Sequence, residues 1–236
     1  MLHLDEPQNI GTIILCGDHH GKYEWLVDEI KRNHIDNALI IHVGDGSEGL
    51  DWFTKKYVEI INEFFKERNI HYWSVRGNHS NPALFDGSWM WDHFKLLPDH
   101  SRAKLFGQTW HLTGGAISIN RSSLEMHKNW WPDEEFKLPD QLPEPCDVLI
   151  THAGPTFTKP IRTSDMIKHY HETECSMNCT TLIKELEAES LQHNRLGEMV
   201  KPKHWYHGHL HQSIRTEHDG CEILCLGEQE LREHRV

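Results

Sequence analysis

Between residues 12 and 79, short apolar runs alternate with stretches in which apolar positions recur at helical spacing. Residues 12–16 and 38–43 are mainly apolar runs of strand length, and residues 70–75 read as a third strand. Between the first two runs, Tyr23, Leu26, Val27, Ile30 and His34 share one helical face. Between the second and third, Leu50, Phe53, Tyr57, Ile60, Ile61, Phe64 and Phe65 do the same. Strand, helix, strand, helix, strand with short links predicts a parallel α/β sheet. Each strand runs into a polar loop that contains glycine: Gly17-Asp18-His19-His20-Gly21, then Gly44-Asp45-Gly46, then Arg76-Gly77-Asn78-His79. Open α/β sheets bind their ligands at the carboxyl ends of strands.

The second half has a different rhythm. Residues 103–106, 109–112 and 116–119 read as short strands joined through Gly107-Gln108 and Gly114-Gly115, which predicts an antiparallel meander. Residues 132–136 predict a short helix, and residues 147–150 a strand leading into Thr151-His152-Ala153-Gly154-Pro155. A polar, histidine-rich loop follows over about 156–178. A helix is expected over 180–191, capped near Asn178. Residues 204–207, 213–217 and 221–226 read as closing strands, and from about 229 the chain is charged with no apolar pattern. No repeat, low-complexity linker or composition break divides it, so one domain is expected over 1–236.

Composition narrows the class. A chain of 236 residues can bury a sizeable core, and 37% hydrophobic with 25% charged residues fits a soluble globular protein. No run approaches the roughly 20 apolar residues of a membrane span. The opening MLHLDEPQNI lacks the basic-then-apolar order of a signal peptide, so a cytoplasmic protein without a membrane partner is expected. The net charge of −12 argues against nucleic acid as a partner. The 21 histidines, against 24 Lys and Arg together, raise the expectation of a metal site. Six scattered cysteines give no disulfide framework; Cys221 and Cys225 share a strand face and are expected to pack. His169, His171, Cys175 and Cys179 fit no zinc-finger spacing. Trp89, Trp91, Trp130 and Trp131 read as core or rim packing rather than a base-stacking platform, and His19, His42, His100, His111 and His204 as packing or surface residues.

The strand-end loops hold the candidate chemistry. Asp18 and His20 are two apart, and on an extended backbone they would project to one side while His19 faces the other. Asp45, Asn78 and His152 each follow a strand, and His209 and His211 repeat the two-residue spacing. His207 extends that alternation, but the intervening Gly208 favours the later pair. Asp18 or Asp45 alone reads as well as a helix N-cap. Taken together, carboxylate, imidazole and amide donors without a thiolate suit manganese, iron, zinc or nickel.

Gly-Asp-x-His-Gly, Gly-Asp, Gly-Asn-His, a strand-terminal His and Gly-His-x-His, in that order across residues 17–211, resemble the calcineurin-like metallophosphoesterase superfamily. Residues 114–121 (Gly-Gly-Ala-Ile-Ser-Ile-Asn-Arg) with 130–135 (Trp-Trp-Pro-Asp-Glu-Glu) are similar to its small bacterial and phage members. The resemblance implies an α/β architecture of two β-sheets packed as a sandwich and flanked by helices. It implies two divalent ions, manganese first and iron, zinc or nickel as alternatives. Asp18, His20 and His211 would hold one ion, Asn78, His152 and His209 the other, and Asp45 would bridge them. In such sites the ions sit about 3.5–4 Å apart and generate a hydroxide that attacks phosphorus in line. His79 matches the catalytic histidine that protonates the leaving group, Glu48 the carboxylate that orients it in the protein phosphatase branch, and Arg76 a phosphate-contacting arginine of that branch. Gly49 departs from the arginine expected after Glu48, which weakens the likeness to protein phosphatases specifically. Arg121 and Arg162 are further candidates for an anionic substrate. The expected partner is a small phosphorylated substrate, whether a nucleotide, a phosphoprotein or another mono- or diester. A nuclease of the same superfamily and a catalytically silent scaffold are the alternatives.

Overall fold

The computed structural model describes residues 1–158, 165–176 and 181–235, with backbone only at 165–167 and 174–176. Five strands form one sheet and seven another. In the five-stranded sheet, β2 (Thr12–Cys16), β3 (Ala38–His42), β4 (Ile70–Ser74) and β5 (Phe94–Leu96) run parallel, and β12 (Leu231–His234) adds antiparallel to β2. The seven-stranded sheet has the order β1 (His3–Leu4), β6 (Ser101–Leu105), β7 (Gln108–Leu112), β8 (Val148–Ile150), β9 (His204–His207), β11 (Cys221–Cys225), β10 (Ile214–His218).

Alternation along the strands explains the layering. Ile13, Leu15, Leu39, Ile41 and Trp73 from one sheet pack against Trp110, Leu112, Val148, Ile150 and Leu224 from the other, so the two sheets form a sandwich. The opposite faces of the same strands, Ile14, Cys16, Ile40 and Tyr72, are covered by α1 (Tyr23–Arg32) and α2 (Lys55–Glu67). On the far side, Leu149, Trp205 and Ile223 meet Leu196 and Val200 of α4 (Leu182–Val200). The architecture is helices, sheet, sheet, helix, as the resemblance implies; α3 (Asp165–Ser176) lies beside α4.

Several expectations change. Helix α2 begins only at Lys55, because Thr54 is extended and its Oγ1 accepts from the Tyr57 N–H at 3.2 Å. The meander is a single antiparallel pair, β6 with β7, and the neighbouring strands β7, β8, β9 and β11 are parallel. Residues 116–119 form no strand: the Ala116 N–H goes to the Glu134 carbonyl, the Ile117 N–H to Glu189 and the Ser118 N–H to Glu134 Oε1. Residues 132–136 form no helix, since Arg76 takes the carbonyls of Glu134 and Glu135. Helix α4 runs on to Val200, where Lys201 in a left-handed conformation ends it; the expected cap at Asn178 lies outside the described residues. The charged end forms β12, an edge strand whose pairing with β2 needs only its backbone.

Candidate metal centre

The loops after β2, β3 and β4 in one sheet meet those after β8 and β9 in the other, and they bring all seven expected ligands together. One donor atom each from Asp18, His20, Asp45 and His211 lie within 4.8 Å of one another, as do donors from Asp45, His152 and His209. Asn78 Oδ1 completes the second group, 3.1 Å from His152 Nε2 and 2.9 Å from His209 Nδ1. Asp45 belongs to both groups. His207, the register alternative, is buried and lies outside both.

The arrangement is poorly satisfied by protein atoms alone. Asp18, Asp45 and His152 are buried, and Asp18 Oδ1 has no hydrogen-bond partner among the described residues. His20 Nε2 lies 2.9 Å from His211 Nε2, which in turn lies 3.4 Å from Asp18 Oδ2. Ring nitrogens and carboxylate oxygens converging on buried points are the donor set of a divalent cation. Supporting bonds orient them: His152 Nδ1 binds the Val43 carbonyl at 2.8 Å, leaving Nε2 toward the centre. The backbone N–H of His209 donates to Asp18 Oδ2 and that of His79 to Asp45 Oδ1, each at 2.9 Å.

Electrostatics follow from this crowding. Burial pushes the Asp45 carboxyl up, but His152, His79 and His20 outweigh it and hold Asp45 well below the carboxylate range. Burial pulls His20 and His209 down, whereas the Asp18 bond raises His211.

The local backbone differs from the expected geometry. His20, Asp45, His209 and His211 have φ of 47°, 62°, 67° and 55°, left-handed values that bulky residues adopt at a cost and that cluster at functional sites. The extended-strand premise for the paired spacings therefore fails, although the residues it selects do converge. Gly77 explains part of the motif: a β-carbon there would lie 2.0 Å from Asp45 Oδ1.

His79 is half-buried beside His20, with ring centroids 5.3 Å apart. Glu48 is buried and accepts from Ser80 Oγ at 2.5 Å, Ser74 Oγ at 3.3 Å and Tyr23 OH at 3.4 Å. Burial pushes its carboxyl up to about 7. No hydrogen bond joins Glu48 to His79; it reaches that turn through Ser80, whose Oγ also accepts from the Gly77 N–H. All three guanidinium nitrogens of Arg76 are engaged, with Asp99 and with the carbonyls of Glu134 and Glu135. Arg121 pairs with Glu185, and Arg162 lies outside the described residues, as do Cys179 and the Cys175 side chain. His19 and His42 stack on each other in the core, Trp89 and Trp91 pack on the apolar cluster under α2 and Trp131 is buried.

Two residues that sequence reading notes only within a motif stand next to the ligands. Asn78 Nδ2 donates to Ser118 Oγ at 3.1 Å, and Ser118 Oγ donates to Glu134 Oε2 at 2.8 Å. Burial pushes Glu134 up to about 8, opposed by its bonds from Ser118 and Trp130.

The chain is similar to the structure of phosphopantetheinyl hydrolase from Mycobacterium tuberculosis, with 12% identity, coverage of 94% of this chain and 96% of that one, and a TM-score of 0.50. It also matches a protein serine/threonine phosphatase from Saccharomyces cerevisiae, with 13% identity, coverage of 96% and 70%, and a TM-score of 0.40. At such identity the first likeness speaks for the fold alone. No curated protein is significantly similar in sequence. The family profile of calcineurin-like phosphoesterases matches residues 11–213, a span that opens at β2 and closes two residues beyond His211. With that match covering most of its length and every candidate donor of the cluster, the chain belongs to the calcineurin-like phosphoesterase family.

Proposed function

We propose that this phosphoesterase hydrolyses a phosphate mono- or diester with two divalent ions, manganese being the first candidate. The observation that carries the reading is Asp45, whose carboxylate is common to both donor groups. Asp18, His20 and His211 would hold one ion, and Asn78, His152 and His209 the other. Bound there, the ions supply Lewis acidity, lowering the pKa of water and offsetting phosphoryl charge. They also resolve a problem of sign, since a chain of net charge −12 with two buried carboxylates at the site repels an anion.

The protein's own groups do the rest. Val43 fixes the His152 ring through its carbonyl, and the His79 and His209 N–H groups hold Asp45 and Asp18 in place. His79, half-buried beside His20, would give a proton to the departing oxygen. Among the described residues, no helix is long and apolar enough to cross a membrane, and a small phosphorylated molecule is the substrate class this reading favours. The silent scaffold explains less, because the donor set and His79 are all retained.

A screen of phosphate mono- and diesters with the metal-depleted protein, then with manganese added back, tests the reading. Manganese-dependent hydrolysis of either class is the expected result. Two ions bound with no turnover of any ester would favour the scaffold instead.

A further inference from the structure

Residues 114–119 and 131–136 form no helix or strand, yet Ala116, Ser118, Trp131, Glu134 and Phe136 are buried. Arg76 knits the two segments to the turn that carries Asn78. Its guanidinium takes the Glu134 and Glu135 carbonyls at 2.5 and 2.8 Å, and its own carbonyl accepts from the Gly115 N–H at 2.9 Å. The result of this construction is a directed chain of hydrogen bonds ending on the Asn78 amide.

From it we propose that Ser118 and Glu134 are positioning residues that fix which end of the Asn78 amide faces the metal centre. The inference rests on the reading of Asn78 as a metal ligand. An asparagine amide can turn by half a rotation, presenting either an acceptor oxygen or two N–H donors at nearly the same place. Only the oxygen can ligate a cation. Glu134 Oε1 is taken by two N–H donors, from Ser118 at 2.6 Å and from the Trp130 indole at 3.0 Å. As the carboxylate, the form that these donated bonds favour and burial opposes, Glu134 takes the Ser118 hydroxyl proton on Oε2 at 2.8 Å. A hydroxyl has one proton, so Ser118 Oγ then offers only lone pairs to its other neighbour. Asn78 Nδ2, 3.1 Å away, is the group that can use them. Its oxygen is thereby turned toward His152 and His209, at 3.1 and 2.9 Å. The flipped amide would set an oxygen against lone pairs on one side and leave the metal facing N–H groups on the other.

The decisive variant is Glu134→Gln, which keeps size and shape. Its carboxamide would keep the oxygen toward the two N–H donors and turn the NH2 toward Ser118 Oγ. That would push the hydroxyl proton toward Asn78, reversing the polarity of the chain. Cobalt(II) alone is titrated into the full-length protein after metal removal, read by visible absorption and calorimetry. The unmodified protein is expected to bind in two steps. Glu134→Gln and Ser118→Ala should each weaken one step about 10–100-fold, the usual effect of removing a group that orients a ligand, and leave the other within about twofold. His20→Ala should weaken the other step, and combining it with Ser118→Ala should weaken both. Two unchanged steps in Glu134→Gln and Ser118→Ala, or an equal loss at both steps in either, would overturn the positioning role while leaving the two-ion reading intact. Failure of the unmodified protein to bind cobalt at all would instead remove the ligand reading of Asn78, and this proposal with it.

Discussion

Gly208 packs against the Asp18 carboxylate so closely that a β-carbon on it would lie 2.0 Å from Oδ1. The neighbouring His209 N–H already holds the other oxygen, Oδ2, at 2.9 Å, so Asp18 has little room to turn aside. The Gly-His-x-His motif thus joins two strand ends from different sheets through one missing side chain.

Gly208→Ala is accordingly expected to displace Asp18 and to empty the ion position proposed for it with His20 and His211. Activity should fall about 10–100-fold, in line with other losses of ligand placement. Elemental analysis of the reconstituted variant should find about one ion per chain. Two ions with full activity would show that the carboxylate can move out of the way without consequence.

Much of this arrangement is legible in the sequence, though not always for the right reason. Residues 12–16, 38–42 and 70–74 are almost wholly buried along their length; the first two advertise this as apolar runs, while His71 and Ser74 interrupt the third. Strand β12 has no such pattern, because at a sheet edge the backbone alone makes the pairing. The two-residue spacing selects Asp18 with His20, and His209 with His211, on an extended backbone; left-handed kinks bring them together instead. Ser118 and Glu134 carry no local signal of a role, since their target Asn78 is 40 residues from Ser118 along the chain. Spacing can reveal groups that share a loop, but not a contact made by tertiary packing.

Metal removal should cost stability as well as activity. Without cations, the Asp18 and Asp45 side chains stay buried with their donor atoms aimed at one another, and Asp18 Oδ1 has no hydrogen-bond partner among the described residues. An ion present at a hundred times its dissociation constant stabilises by about 2.7 kcal/mol, and each kcal/mol moves Tm by about 2–4 °C at this size. For two such ions, thermal melts with excess manganese and with chelator should therefore differ by about 11–22 °C. Coincident melts would mean that the buried donors are satisfied without a cation.

Glu189 provides a pH test remote from catalysis. Its buried carboxylate accepts from the Ile117 and Phe136 N–H groups at 3.2 and 3.0 Å, and burial pushes it up to about 7. An acid raised above its unfolded value near 4.5 binds more protons folded than unfolded between those pH values. The contribution of this group to stability is then greatest below about 4.5, declines as pH rises to about 7, and is level above. The span is at most about 3 kcal/mol for one such group. Glu189→Gln cannot ionise, so its denaturant midpoint should fall less between pH 5 and 8 than that of the unmodified protein. Parallel pH profiles would show that Glu189 ionises in the fold as easily as in the unfolded chain.

Leaving-group chemistry and metal chemistry come apart at His79. Its ring is half-buried beside His20, and it touches Asp45 only through its backbone N–H. Removing its imidazole should therefore leave both donor groups standing. General acid catalysis contributes about 10²–10⁴-fold, and it matters most where the departing oxygen is basic. A nitrophenyl ester leaves as a stabilised anion, whereas an alkyl phosphate leaves as an alkoxide that needs the proton. His79→Ala is expected to keep its metal, lose most activity on alkyl esters and lose distinctly less on nitrophenyl esters. Glu48→Gln should behave differently from the loss of an aid to His79 alone. Because Glu48 braces the 77–80 turn through Ser80, and that turn also carries Asn78, its loss should lower both substrates to a similar extent and weaken metal retention. Rates on a matched pair of esters, with metal content measured in each variant, check both expectations. Equal losses on the two esters in His79→Ala, at full metal content, would rule out proton donation and leave His79 a role in holding the phosphoryl group.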